Sequence, residues 1–316
     1  MQFKAFKKRL DWRNYVVFIF FAIVLIFFSA TVGERGFLST TNIFGIFRST
    51  AMIIVMAVAM TYVIAAGEID LSVGSIAALS AYVAALVMEA KYSLIFAVIL
   101  ALLAGFVVGL VNGLLVTRIG IPAFLGTLGM QLLIRGVDMW ITYTHPISVT
   151  NQTFNVIFGY GNFGPLPSLL VWSIGITLIG FIIFRYSMYG RQVIATGGNR
   201  IAAEYSGINT KLIRTSVFCL AGTMAALSGL LYTGMMRTAR YTFGQGAEIS
   251  ALAAVFIGGT SIKGGNGTII GTFIGALLIG TINNGIIILG LDVSQQMVVS
   301  GALIILAVSA SNKDKK

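Results

Sequence analysis

The 316-residue chain is strongly apolar, since 57% of its residues are hydrophobic and only 10% are charged. That composition leaves too little polar surface for a water-soluble globule, so lipid must solvate much of the chain. The formal net charge of +11 is spread over short connections, which argues against a nucleic-acid partner and favours a role in membrane topology. Because Cys219 and His145 are single, an intrachain disulfide and a histidine-rich metal site are excluded.

Ten apolar segments have the length of a membrane-spanning helix, which needs about 20 residues. The first segment lacks a clear cleavage site for a signal peptidase, so we expect it to be retained. The sequence therefore predicts an all-α polytopic membrane protein with one transmembrane domain over residues 1–316. In chain order the segments are about 16–32, 43–66, 71–89, 93–116, 122–143, 168–185, 212–235, 247–261, 268–289 and 295–310.

The basic residues predict the orientation of these segments, since lysine and arginine in short connections prefer the cytoplasm. With the amino terminus inside, 15 of the 21 basic residues face the cytoplasm and 6 face outward. Both termini and the connection at about 186–211 are then cytoplasmic. Residue 204 is expected inside the cell and residue 155 outside.

An internal repeat is suggested by motifs in two parts of the chain, about 43–143 and 212–310. Glu-Ile-Asp at residue 68 resembles Glu-Ile-Ser at residue 248, and Asn112-Gly resembles Asn283-Asn284-Gly. Five segments separate the two parts, so the copies are expected to run in opposite directions. Inverted repeats of this kind are typical of transporters. Both parts also carry glycines at four-residue spacing, at positions 105, 109 and 113 and at positions 267, 271 and 275.

Polar residues within or beside the apolar segments are candidates for a substrate pathway, because lipid disfavours them unless they have a function or a partner. Structural alternatives exist for several of them. Asp70 or Ser72 can cap the third segment, Glu248 can be an N-terminal helix acid, and Asp138 can pair with Arg135 one turn earlier. The candidates are Glu68, Asp70, Ser72, Asn112, Glu248, Asn283 and Asn284.

Nucleotide-binding and catalytic signatures are missing from the sequence. The glycine-rich residues 258–267, GGTSIKGGNG, lack the Gly-Lys-Ser/Thr ending of a phosphate-binding loop and predict a tight turn between helices. We therefore expect no catalytic residue, cofactor or metal on this chain. If ATP drives the protein, another chain must bind it.

Four groups of motifs together resemble the ribose-type family of ABC sugar-importer permeases from about residue 40 onward. They are GEIDLSVGS at 67–75; VNGLLV at 111–116 with GIPAF at 120–124 and TLG at 127–129; GGN at 197–199 with SGI at 206–208; and GGTS at 258–261 through NNG at 283–285. The family often has Gly-Ile-Asp where this chain has residues 68–70. It often has Leu-Asp-Ala where this chain has Ile249, Ser250 and Ala251.

The resemblance implies a multi-pass protein of the bacterial inner membrane with a helical arrangement like that of the cobalamin-type importers. It implies a second permease subunit, identical or closely related, with the transport path along the interface between the subunits. It also implies a cytoplasmic ATPase with two fused nucleotide-binding domains, which holds ATP and Mg, and an extracytoplasmic sugar-binding protein.

The polar stretch between the sixth and seventh segments is expected to hold a helix of about two turns that couples the permease to this ATPase. Gly197 and Gly198 free the backbone, Asn199 caps the helix and Gly207 ends it. An apolar face formed by three of its residues suits a groove in a partner, whereas a solvated connector would need no such face. The predicted coupling residues are Gly198, Asn199, Arg200, Ile201, Ala202, Ala203, Glu204, Tyr205 and Gly207.

The expected function is therefore import of a sugar or sugar-like polyol. A self-contained secondary transporter driven by protons or sodium is the alternative from another class, because an inverted repeat also suits it. Within the importer class, a nucleoside, a signalling furanose and a branched-chain amino acid are the other cargoes.

Overall fold

The structure of the protein, a computed structural model, describes residues 13–292, 294–299 and 301–302. Short segments of π-helix cover Leu115–Ile119 and Val156–Tyr160, and two pairs of short strands, Ile147–Ser148 with Thr238–Ala239 and Asn162–Phe163 with Leu166–Pro167, are antiparallel. The helices are α1 (Arg13–Val32), α2 (Thr40–Ala65), α3 (Val73–Glu89), α4 (Leu94–Leu114), α5 (Ala123–Thr142), α6 (Gln152–Asn155), α7 (Ser168–Tyr186), α8 (Met188–Gly198), α9 (Arg200–Tyr205), α10 (Thr210–Met236), α11 (Ala247–Ile257) and α12 (Ile269–Ile288). The strands are β1 (Ile147–Ser148), β2 (Asn162–Phe163), β3 (Leu166–Pro167) and β4 (Thr238–Ala239).

Nine of the predicted segments coincide with helices, namely α1 to α5, α7 and α10 to α12, and each end agrees within four residues. The tenth, at 295–310, lies largely outside the described residues. Within the described part, six helices are long and apolar enough to cross a membrane, whereas α3 and α11 are shorter apolar helices. These six correspond to α1, α2, α4, α7, α10 and α12. The chain is thus a helical, multi-pass membrane protein.

Local side-chain bonds explain where several of these helices begin. The hydroxyl of Ser39 accepts a hydrogen bond from the amide of Asn42 at the start of α2, and Ser93 caps α4 in the same way. Thr268 accepts from the amide of Gly271 at the start of α12. Each cap satisfies an amide that has no partner inside its helix, which fixes the start in the sequence.

The core of the molecule is built around α2 and α10. Gly105 and Gly109 of α4 face α10 so closely that an added Cβ would overlap the carbonyl oxygen of Gly222 or of Phe218. The predicted ridge of small residues on α4 is therefore a close helix contact. On α2, the hydroxyl of Thr61 hydrogen-bonds that of Thr272 on α12 at 2.9 Å.

The first helix of each predicted repeat packs against later helices of the other repeat. Helix α10 contacts α2, α3 and α4, whereas α2 contacts α10, α11 and α12. Both α4 against α10 and α12 against α2 run antiparallel, because residues late in one helix meet residues early in the other. This reciprocal packing is the pattern expected of two related halves.

One detail of the sequence comparison between the halves is wrong. Glu68 lies five residues before the start of α3, whereas Glu248 is the second residue of α11. Aligning the two helix starts places Gly74, not Glu68, opposite Glu248. The two similar motifs therefore occupy different positions, because Glu68 lies in the break before α3 whereas Glu248 lies inside α11.

Candidate functional site: the helix break and helix α9

The break between α2 and α3 is a short non-helical segment at residues 66–72. Gly67 adopts a positive φ of 82°, a conformation that residues with a side chain rarely adopt. The amides of Gly67 and Glu68 then turn back to the carbonyl oxygens of Ile64 and Val63. Residues 66–72 therefore interrupt the helical path between α2 and α3.

Three of the candidate pathway residues meet at the end of this break. The fully buried Asp70 accepts hydrogen bonds from the Ser72 hydroxyl at 2.6 Å and the Ser72 amide at 2.9 Å. The side-chain amide of Asn112, on α4, donates to the Ser72 hydroxyl at 2.8 Å. The expected side-chain cap of α3 is absent: Ser72 makes no capping bond, and Asp70 accepts the amide of Ser72, which precedes the helix.

Helix α5 presents a polar face to the starts of α3 and α11. The amide of Leu71 donates to the hydroxyl of Thr127 at 3.1 Å, and Gln131, one turn later, donates to Glu248 at 3.0 Å. Arg135, another turn later, donates to the carbonyl oxygen of Phe243 at 3.1 Å. Thr127 and Gln131 were not among the sequence candidates, although their four-residue spacing with Arg135 is a helical pattern.

Glu248 is the N-terminal helix acid that the sequence suggested. Its carboxylate accepts the amide of Gly246 at 3.3 Å as well as the Gln131 side chain, and it is buried. Asp138 makes no hydrogen bond to Arg135. Within the described part of the chain, neither of its buried carboxylate oxygens has a hydrogen-bond partner.

The two asparagines of α12 lie at a different level of the bundle. Asn284 exchanges side-chain amide hydrogen bonds of 2.9 Å with Asn42 near the start of α2, and Asn283 is its neighbour in the chain. Because α2 has 26 residues, its two ends are about 39 Å apart. The seven candidate pathway residues thus do not form a single cluster.

Glu68 contacts α9 and α10 rather than the Asp70 cluster. Its carboxylate forms ion pairs with Arg200 of α9 and Arg214 of α10, and only 6% of its side chain is exposed. The proposed role of Glu68 in a pathway is not tested by these contacts, but they place it beside the predicted coupling residues.

The predicted coupling helix is α9, and its boundaries follow the predicted signals. The side chain of Asn199 accepts the amide of Ala202 at 3.0 Å, and Gly207 has a positive φ of 82° just after the helix. Ile201 and Tyr205 are 67% and 90% exposed, and Ala202 between them is also exposed. The helix therefore presents an apolar surface that no other described residue covers.

The remaining coupling residues hold α9 against the protein. Ala203 is buried, and Glu204 accepts a hydrogen bond from the hydroxyl of Thr210 at 2.5 Å. Gly197 and Gly198 end α8 in helical conformation, so the expectation that they free the backbone is wrong. Gly197 is needed for space, because an added Cβ would overlap the carbonyl of Ala65, whereas a Cβ on Gly198 would make only an ordinary contact with Gly265.

Comparison with known proteins gives matches over most of the chain. Residues 42–308 match the family described as branched-chain amino acid transport system / permease component. The ribose import permease protein RbsC of Escherichia coli (strain K12) is 40% identical over 298 residues, which cover 92% of this chain and 91% of that protein.

Two further relatives have a similar extent. The ribose import permease protein RbsC of Bacillus subtilis (strain 168) is 36% identical, with 93% of this chain and 92% of that protein covered. The D-allose transport system permease protein AlsC of Escherichia coli (strain K12) is 36% identical over 312 residues, covering 97% and 94%. No solved structure matches this chain.

Proposed function

This chain belongs to the family of ribose-type ABC sugar-importer permeases, and on that premise we propose that it carries a sugar into the cytoplasm as the membrane subunit of an ATP-driven complex. The proposed partners are a second permease subunit, a cytoplasmic ATPase with fused nucleotide-binding domains and an extracytoplasmic sugar-binding protein. ATP and Mg belong to the ATPase.

The observation that carries this proposal is α9. A capped helix of six residues whose apolar side chains Ile201, Ala202 and Tyr205 face outward suits a groove in another protein. An ion-coupled secondary transporter needs no such helix. The contact also explains how a chain without a phosphate-binding loop can use ATP.

The inward direction of transport is proposed from the relatives, which are named as ribose import permeases, and the proposed topology puts α9 on the side of the ATPase. The basic residues support cytoplasmic termini and a cytoplasmic α9. The exchange of neighbours around α2 and α10 supports an inverted repeat and, with it, an arrangement like that of the cobalamin-type importers. All seven candidate residues remain proposed contacts with the solute, and Asp70, Ser72, Asn112 and Glu248 are favoured because they are buried polar groups beside the starts of α3 and α11.

A sugar is the favoured cargo among those considered. The family description names branched-chain amino acids, but relatives that cover more than 90% of this chain are named for ribose and D-allose. A nucleoside and a signalling furanose remain less favoured alternatives, and nothing in the fold favours them over a simple sugar.

Reconstituted vesicles test the function. The permease, its ATPase and its binding protein are placed in proteoliposomes, and uptake of radiolabelled ribose and D-allose is measured with and without internal ATP. We expect uptake that needs ATP and the binding protein and that survives ionophores. Uptake that needs an ion gradient and no ATPase would establish the secondary transporter instead.

A further inference from the structure

Glu68 joins three parts of the protein through one carboxylate oxygen. Its Oε1 atom accepts a hydrogen bond from Nη2 of Arg200 at 3.2 Å and from Nε of Arg214 at 2.5 Å. Arg200 begins α9, and Arg214 lies in the second turn of α10. The break between α2 and α3 is thereby bound to the cytoplasmic helix and to the helix that follows it.

Backbone contacts bring the same region together with the loop between α11 and α12. The amide of Gly265 donates to the carbonyl oxygen of Ala65 at 2.9 Å. A Cβ added at Gly264 would lie 2.9 Å from the Gly197 oxygen and from the Gly67 Cα. We call Gly67, Gly197, Gly264 and Gly265 the glycine junction. It leaves no room for a side chain between the ends of α2 and α8 and the loop before α12.

The other side of the break is bound to the interior of the bundle. Asp70, only two residues after Glu68, is linked through Ser72 to Asn112 on α4. The amide of Leu71 is bound by α5 through Thr127. A displacement of Glu68 therefore has a path of two residues to Asp70 and of five residues to the start of α3.

We infer that Glu68 is a positioning residue that transmits movement of α9 to the start of α3. The inference rests on the proposed function, in which α9 contacts the ATPase. Closely packed elements shift as units because their contacts leave no space for gradual deformation. A buried carboxylate bound to two guanidinium groups fixes the relative positions of the elements that carry them. Without it, α9 can move while α3 stays in place.

Hydrogen–deuterium exchange on the purified permease–ATPase complex tests this link without knowledge of the sugar. Exchange is compared with and without a non-hydrolysable ATP analogue and Mg, at residues 200–207 and at residues 68–76. In the unmodified complex we expect nucleotide to change exchange in both segments. In Glu68→Gln the change at 200–207 remains, while an approximately tenfold change at 68–76 falls below about twofold, within the usual size of coupling between sites.

A second variant separates transmission from folding. Glu68→Gln leaves the 11%-exposed Arg214 without a counter-charge, which can itself lower the amount of folded protein. The double variant Glu68→Gln/Arg214→Met removes that unpaired charge. We expect it to restore the yield of folded complex but not the nucleotide response at 68–76.

The control is Glu89→Gln, the same chemical change at the exposed last residue of α3. It should respond as the unmodified complex does. A full response at 68–76 in both Glu68 variants, with the ATPase still bound, would overturn the inference alone. If the ATPase fails to bind the unmodified permease, the proposed function fails, and the inference falls with it.

Discussion

The starts of α3 and α11 carry similar sequences but use their glutamates differently. Glu68 precedes α3 and contacts Arg200 and Arg214, whereas Glu248 lies inside α11 and contacts its own first turn and Gln131 of α5. The difference shows that a motif shared by two halves does not imply a shared role. One glutamate binds α9 and α10, and the other stabilises a helix start.

The two starts are nevertheless in contact. A Cβ added at Gly74, in the first turn of α3, would overlap the carboxylate of Glu248 and the carbonyl of Gly244. The absence of a side chain at Gly74 is what lets the start of α11 approach. The two helix starts thus share one packed region and differ in what they bind beyond it.

Labelling from outside the cell has the largest expected effect, because the result is all or none. The proposed topology places α9, which Glu68 binds, on the cytoplasmic side of the membrane. With Cys219→Ser as background, a membrane-impermeant maleimide on intact cells should label Gln152→Cys and leave Glu204→Cys unlabelled until the cells are opened. Gln152 replaces residue 155 as the probe because Asn155 is buried. The reverse pattern would invert the topology.

Filling the space between the two helix starts comes second. Gly74→Ala should lower the stability of the folded protein by about 1–3 kcal/mol, since backbone atoms of Gly244 have nowhere to move. Thermal unfolding in detergent measures the loss. Gly175→Ala in α7 is the matched control, because nothing lies within 4 Å of its added Cβ. Equal stability of the two variants would contradict the close contact.

The bond between Gln131 and Glu248 gives the smallest expected effect. A double-mutant cycle with Gln131→Leu and Glu248→Leu should yield a coupling energy of about 0.6 kcal/mol, the usual size for a side-chain hydrogen bond within membrane proteins. Unfolding by SDS in mixed micelles provides the four free energies. Strictly additive effects would show that α5 does not stabilise the start of α11 through this bond.

The sequence predicted what depends on neighbouring residues. Runs of apolar residues located nine helices, six of which are long and apolar enough to cross a bilayer. The cap at Asn199 and the end at Gly207 were also predicted correctly, since both depend on the chemistry of one residue within a few positions.

Contacts between distant residues could not be predicted in the same way. Glu68 is 132 and 146 residues from its partners Arg200 and Arg214. Asn284 is 242 residues from Asn42, and nothing in either local sequence indicates that pairing. The role of α5 was missed because Thr127 and Gln131 show their function only when the starts of α3 and α11 lie beside them.

Binding of the ATPase to α9 is tested most directly by Ala202→Trp. The substitution places a large ring on the exposed face that is proposed to enter a groove, whereas Ile119→Trp enlarges an exposed residue in another connection and serves as the control. Retention of the ATPase on the purified permease, with its hydrolysis stimulated by the loaded binding protein, is the measurement. We expect Ala202→Trp to insert normally and lose both the ATPase and the stimulation, while Ile119→Trp keeps them; full retention and normal stimulation in Ala202→Trp would contradict the assignment of α9 as the coupling helix.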